Sequence, residues 1–221
     1  MKNEFKFKLV GHDAEFICRS TETNEPVSMA NFTQITLPSC VVYPDNVLLE
    51  MNADPTTLDD FEGAINTSLN DLYTLLNEQG LYTVIGQTSA HYPKDQLCDP
   101  KAHVIGCEPF SVCTMLGVNL SPPKYQDQWR FAGGHVHLAY DKNLVPTHYL
   151  IALLDKELKG SDVKDVRRDA FYGQPGAYRE KSYGVEYRSL SNAWMNDVPS
   201  LIKSLRKVEA QVNAILNGES L

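Results

Sequence analysis

The chain has 221 residues, 43% of them hydrophobic and 22% charged, with a formal net charge of −8. That composition belongs to a globular protein long enough to bury a substantial core, and it reads as one domain over residues 1–221. The acidic balance argues against non-specific binding to nucleic acid or to an anionic membrane surface, because both need a basic face.

No apolar run is long enough to span a bilayer, and MKNEFKFKLVGHDAEF lacks the apolar centre of a secretory signal. The five cysteines, Cys18, Cys40, Cys98, Cys107 and Cys113, form no CxxC pair. They read as reduced, mostly buried thiols of a cytoplasmic protein.

In chain order, FKFKLV alternates apolar and polar residues and predicts a strand that continues through AEFICR after Gly11. NVLLEMN (46–52) predicts a second. TTLDDFEGAINTSLNDLYTLLNEQG predicts a helix, with Leu58, Phe61, Ile65, Leu69, Leu72 and Leu76 at three- and four-residue spacing. Thr57 with Asp60 suggests its cap, and Gly80 its end. YTVIGQTSA (82–90) predicts a strand, and 91–128 an irregular segment of the kind that often carries function. WRFAGGHVHLAY (129–140) predicts a strand, and THYLIALLDKELKG a helix capped by Thr147. SDVKDVRRDAFYG suggests another helix and YGVEYRSL (183–190) a strand. DVPSLIKSLRKVEAQVNAILNG closes the chain as a helix, with Pro199 near its start and Gly218 past its end. Strands and helices mix without regular βαβ alternation, so the expected class is α+β, with antiparallel strands.

Residues i and i+2 of a strand share a face, roughly 6.6 Å apart. On that spacing His135 and His137 form one polar pair, Glu186 and Arg188 a second, Asp13 and Glu15 a third, and Glu50 and Asn52 a fourth. Taken singly, each pair is more often an exposed strand face or a cross-strand ion pair. Together, opposite apolar sets, they would line one surface of one sheet. Clustered carboxylates beside imidazoles repel one another unless a cation sits among them, and oxygen-rich donors suit Mg²⁺ or Mn²⁺. Arg130, Arg179 and Arg188 would then clamp a phosphate or carboxylate. Gly133 and Gly134 would let a ligand approach the backbone. His12, His91, His103 and His148 read as structural or surface residues, and Arg167–Arg168 as a solvated helix face.

These residues carry a resemblance. GHDAEF resembles the GxExEF metal-binding strand of the glutamine synthetase superfamily, and GGHVH its later GxHxH strand. YGQPGAYREKSYGVEYRSLSNAW is similar over a longer stretch to the phage-type carboxylate–amine ligases, the amidoligases. VIGCEPFSVC and NLSPP look like that family's middle region. The resemblance spans roughly residues 9–195.

The resemblance implies a glutamine synthetase-like antiparallel catalytic sheet and an ATP-dependent ligase. ATP would phosphorylate a substrate carboxylate, and an amine would displace the phosphate to form an amide. By position, Glu15 and Glu50 would hold one Mg²⁺ (or Mn²⁺), and Asp13, His135 and Glu186 a second. His137 would face the ATP phosphates, with Lys181, Gly133 and Gly134 also on the nucleotide. Arg179 and Arg188 would stabilise the transferring phosphoryl group and the substrate carboxylate, assisted by Arg130, with Glu186 part of the same catalytic set. The partners would be small-molecule or peptide acids and amines, in a host cytoplasm if the protein is phage-encoded; homo-oligomerisation stays open. Departures from the family are Asp13 in place of glutamate, a single glutamate at 50 followed by Asn52 and Asp54, and too little chain before Gly11 for the family's separate N-terminal domain. Three rivals remain open: a cupin-like metal enzyme, which would want a glutamate after His137 where LAYDKN stands; a zinc hydrolase, for which Ala139 replaces the aspartate of HxHxD; and a degenerate ligase kept for binding or as a virion component.

Overall fold

The computed structural model describes residues 4–103, 110–114, 117–121 and 127–219. In chain order the strands are β1 (Leu9–Phe16), β2 (Cys18–Ser20), β3 (Ile35–Thr36), β4 (Cys40–Asp45) and β5 (Leu48–Ala53). Then come α1 (Phe61–Glu78), β6 (Leu81–Thr83), β7 (Ser89–His91), β8 (Phe110–Thr114), β9 (Gly117–Ser121), β10 (Trp129–Phe131) and β11 (Gly134–Ala139). α2 (Thr147–Glu157), α3 (Val166–Phe171), β12 (Ala177–Lys181), β13 (Gly184–Tyr187) and α4 (Val198–Leu216) complete the set.

Nine strands form one antiparallel sheet in the order β3-β4-β5-β1-β11-β13-β12-β8-β9. The fold is mixed, a large antiparallel sheet with helices, in keeping with the α+β expectation. Alternation sorts the faces. Val10, Ala14, Phe16, Leu49, Met51, Val136, Leu138, Val185 and Tyr187 are buried in one core. The same core takes Ile65, Leu69 and Leu72 of α1, Leu150, Ile151 and Leu154 of α2, and Leu201, Leu205 and Val208 of α4. The helices therefore cover one face of the sheet, with α4 packed against both α1 and α2. Residues of the other parity are left to the opposite face, and those are the polar ones. Among the described residues, no helix is long and apolar enough to cross a membrane.

Several predicted elements are shorter than their patterns. Phe5 and Phe7 lie outside β1 because their backbone N–H groups bond to Asn213 Oδ1 (2.7 Å) and Glu209 Oε1 (2.8 Å) of α4. YTVIGQTSA breaks into β6 and β7, in two different ribbons, at Gly86, whose φ of 86° turns the chain out of a strand. Residues 129–140 break likewise into β10, paired with β7, and β11 in the main sheet. The break is at Gly133, whose N–H bonds to the Glu15 carboxylate (2.6 Å). The helix expected over 161–173 shrinks to α3, capped by Asp165 Oδ1 on the N–H groups of Arg167 and Arg168. Pro146, not Thr147, sits at the α2 cap position; the Thr147 hydroxyl meets Tyr140 Oη at 3.0 Å. Thr57 Oγ1 bonds to Asp60 (2.8 Å), the α1 N-cap residue, and Gly80 (φ 68°) follows its end.

The 91–128 segment contains two 3₁₀ turns, Lys94–Leu97 and Pro100–His103, and the β8–β9 hairpin that extends the main sheet beyond β12. Much of VIGCEPFSVC and NLSPP, with Cys107, lies outside the described residues. Of the other cysteines, Cys18 and Cys40 are buried and Cys98 is exposed. Arg168 is not solvated: it is 0% exposed and bonds to the carbonyls of Ala132 (2.9 Å) and Leu190 (2.7 Å).

Gly134 lies against the chain on the far side of the sheet's parity. A Cβ there would stand 2.3 Å from Ser191 O and 2.6 Å from Asn192 Cα, both backbone. Gly134→Ala is therefore expected to destabilise the fold by about 2–3 kcal/mol, since a backbone wall cannot give way. Gly63→Ala, in α1 with nothing near its Cβ, is expected to stabilise it by about 0.5–1 kcal/mol. Urea denaturation checks both; equal midpoints would contradict them.

Candidate active site

Register brings the four polar pairs together. Asp13 is opposite His135 on one side and Asn52 on the other. Glu15 pairs with Glu50, and His137 with Glu186. β12 adds Arg179 opposite Glu186, and places Lys181 on the same face. Every one of these contacts follows from strand parity plus pairing, so the site occupies the sheet face away from the helices.

Two trios of ligand-type side chains result: Asp13, His137 and Glu186, and Glu15, Asp45 and Glu50. Within each trio, one ligating atom per residue lies within 4.8 Å of the others. His135 stands beside the first, its Nδ1 3.0 Å from Asp13 Oδ1 and 3.9 Å from Glu186 Oε1. His137 Nε2 approaches Asp13 Oδ2 at 3.1 Å. The sequence reading gave the metal role to His135 and the phosphate role to His137; the structure draws both imidazoles around Asp13.

The two trios differ electrostatically. Burial opposes ionisation of Glu186, which is 0% exposed, but Arg188 and His135 outweigh it and hold the carboxyl down to about 2. Arg188 Nη1 bonds to Glu186 Oε1, Arg179 Nη1 lies 3.2 Å from Oε2, and Lys181 Nζ lies 2.9 Å from it. Asp13 is likewise held well below the ordinary range: burial resists, and His135 and His137 prevail. Burial and the Arg188 charge push the His135 imidazole down. In the second trio burial wins. Together with the Asp45 and Glu50 charges it drives Glu15 well up. Burial and the Asp13 charge raise Glu50 to about 8, and burial raises Asp45. Three carboxyls that resist ionising side by side are the kind of cluster that a hard cation would neutralise.

Two features of the donor set fit a cation. Asp13 Oδ1 and His137 Nε2 are buried, and the Asp13 carboxylate faces both imidazoles. Oxygen donors with a single imidazole suit Mg²⁺ or Mn²⁺. Glu15, Asp45 and Glu50 would hold one ion, and Asp13, Glu186 and an imidazole the other.

Other predicted residues sit differently. Arg130, on the β7–β10 ribbon, donates to the carbonyls of Ala102 (2.9 Å), Asp127 (2.9 Å) and Trp129 (3.0 Å) and to Asn46 Oδ1 (3.2 Å). Its guanidinium ties loops together, and the structure does not bring it to Glu186. Gly133 and Gly134 do not open room for a ligand. A Cβ at Gly133 would lie 2.6 Å from His135 Nε2 and 3.0 Å from Tyr172 Oη, and the space at Gly134 is filled by Ser191 and Asn192. Both glycines let the protein pack against itself.

Four site residues escaped the sequence reading. Tyr43 and Asp45 of β4 share the face of Glu50, and Tyr43 Oη bonds to Glu50 Oε1. Their i/i+2 spacing is the same signal used elsewhere, hidden by Pro44, which reads as a strand breaker. Tyr183 stacks on His137 with ring centroids 6.1 Å apart and bonds to its Nδ1. The Tyr172 hydroxyl reaches Glu15, His135 and Arg188. A cavity of about 370 Å³ opens beside His137, lined by Leu9, Gly11, Asn52, Pro55, Ala139 and Tyr183 among others.

No known protein-family model and no curated protein matches this chain.

The raised carboxyls define a pH response. Glu50 moves from an ordinary 4.5 to about 8, so its contribution is full below about 4.5 and lost as pH rises through 8. Glu15 and Asp45 act with the same sign. Glu186 acts oppositely, its contribution full above 4.5 and lost only as pH falls toward 2. The chelator-treated protein is therefore expected to lose thermal stability from about pH 5 to about pH 8.5, and Mg²⁺ to restore more of it at the upper end. Melting scans with EDTA and with Mg²⁺ check this; a midpoint that rises with pH, indifferent to Mg²⁺, contradicts it.

Proposed function

We propose that the protein is an ATP- and Mg²⁺-dependent carboxylate–amine ligase. The observation that carries the reading is the pair of cation-type trios on one sheet face, bordered by Arg179, Lys181 and Arg188. The resemblance of GHDAEF, GGHVH and REKSYGVEYRSLSN to the amidoligases supports it. A large antiparallel sheet with helices on one face and polar pairs on the other supports a glutamine synthetase-like catalytic sheet.

Divalent ions, when bound, would neutralise the phosphate charges and polarise the transferring group. The chain's own residues do the rest. Arg179 and Lys181, 23% and 30% exposed, are reachable cations at the edge of Glu186 and receive the γ-phosphoryl oxygens. Arg188, 4% exposed, keeps Glu186 ionised. An oxygen of the substrate carboxylate attacks the γ-phosphorus and ADP leaves. The amine nitrogen then attacks the acyl carbon, phosphate departs with the C–O bond electrons, and the amine proton passes to solvent or a site carboxylate. Phosphoryl transfer asks mainly for positioning and charge neutralisation, which this face supplies. The cavity next to His137 takes the nucleoside, its base lying along Tyr183.

The test is ADP release from ATP and Mg²⁺ against a panel of amino acids, short peptides and cell-wall fragments as acid and amine. Acid- and amine-dependent release is expected, reduced about 10²–10³-fold by Glu186→Gln. Nucleotide binding with no release for any pair favours a degenerate ligase, and equal release by Glu186→Gln refutes the site. Tyr183→Ala is expected to weaken ATP binding about tenfold while leaving Mg²⁺ binding intact, as loss of a base-stacking ring does. Calorimetric titration reads both.

A further inference from the structure

Tyr172 has no place in either trio, yet its hydroxyl stands between them. The residue follows α3 and is 7% exposed. Its Oη lies 3.0 Å from Glu15 Oε1, 2.7 Å from His135 Nε2 and 3.2 Å from Arg188 Nη2. The first belongs to one trio; the second stands against Asp13 and Glu186 of the other.

Donor counting gives the contact a direction. A tyrosine hydroxyl has one hydrogen and two lone pairs. The hydrogen goes to Glu15 Oε1, and Arg188 Nη2 donates to one lone pair. Its third contact, to His135 Nε2, reaches the histidine whose Nδ1 faces Asp13 Oδ1 at 3.0 Å. That ring is hydrogen-bonded to Asp13, so the Tyr172 hydroxyl and Asp13 hold the imidazole from its two ends. Glu15 is held as tightly: Tyr172 donates to Oε1 and the Gly133 N–H to Oε2 at 2.6 Å. Gly133 is also what admits the Tyr172–His135 contact, since its Cβ would stand between them.

We propose that Tyr172 is a positioning residue that couples the two cation sites, its one hydroxyl orienting Glu15 for the first and holding His135 against Asp13 of the second. This role rests on the cation sites of the proposed function and not on the ligase chemistry. Partners of this kind behind metal ligands change affinity about 10–100-fold when removed.

The test uses the full-length protein and Mn²⁺ alone, followed by electron paramagnetic resonance, beside nitrogen NMR of histidine-labelled protein. The parent is expected to bind two Mn²⁺ per chain and to show His135 Nε2 hydrogen-bonded. Tyr172→Phe keeps the ring and removes the oxygen; it is expected to weaken Mn²⁺ binding at least tenfold at both sites and to shift the His135 Nε2 resonance to that of a nitrogen without a hydrogen bond. Binding within twofold of the parent overturns the role, as does weakening at one site only. A parent whose His135 Nε2 shows no hydrogen bond overturns it without reference to any variant, which keeps the test decisive if Tyr172→Phe fails to fold. A parent that binds no Mn²⁺ overturns the cation sites and this role together. Intact Mn²⁺ coupling without ADP release refutes the ligase reading alone.

Discussion

A fully buried, ionised carboxylate is the constraint around which this protein is arranged. Glu186 has no exposure, and its environment still keeps it charged to about pH 2. Such a group is stable only if positive partners surround it, and removing one partner of a buried pair costs about 3–5 kcal/mol. Arg188 from its own strand, Arg179 and Lys181 from β12, and His135 from β11 supply them. Three adjacent strands are thereby locked in a register that also faces His137 with Glu186 and Asp13 with His135.

From that charge outward the face divides. Toward β12 the carboxylates are outnumbered by cations and are pulled down. Toward β4 they are not, and burial pushes Glu15, Asp45 and Glu50 up. The gradient runs across one sheet within a few strands. It suits a ligand with its own internal separation of charge, a divalent ion at one end and phosphate oxygens at the other. Tyr172 lies on the boundary and touches both halves.

Legibility followed the range of the signal. The i/i+2 pairs were readable because strand parity is local: Asp13 with Glu15, Glu50 with Asn52, His135 with His137, Glu186 with Arg188. The apolar stripes of α1 and α4 were readable for the same reason. Where a distant partner captured the backbone, the pattern misled. Phe5 and Phe7 alternate like a strand but are taken by Asn213 and Glu209 on the last helix. WRFAGGHVHLAY looks continuous but is interrupted where Glu15 draws off the Gly133 N–H. Arg130 sits one strand away from the histidines in sequence, yet its ribbon leaves the main sheet and its donors go to loop carbonyls. Tyr172 carried no signal at all, because its partners lie 157, 37 and 16 residues away.

The amino-acid sequence alone determined which residues share a face, which stripes could be buried, the acidic character of the chain and the chemical kind of the site. Those properties depend on spacing along the backbone and on side-chain chemistry, and both are written locally. Only the tertiary structure decided which strands lie side by side. With that it decided that Asp45 joins Glu15 and Glu50, that the two glycines admit protein rather than ligand, and that one tyrosine hydroxyl bridges the two trios. Strand order is a property of chain closure over long separations, and no local periodicity encodes it.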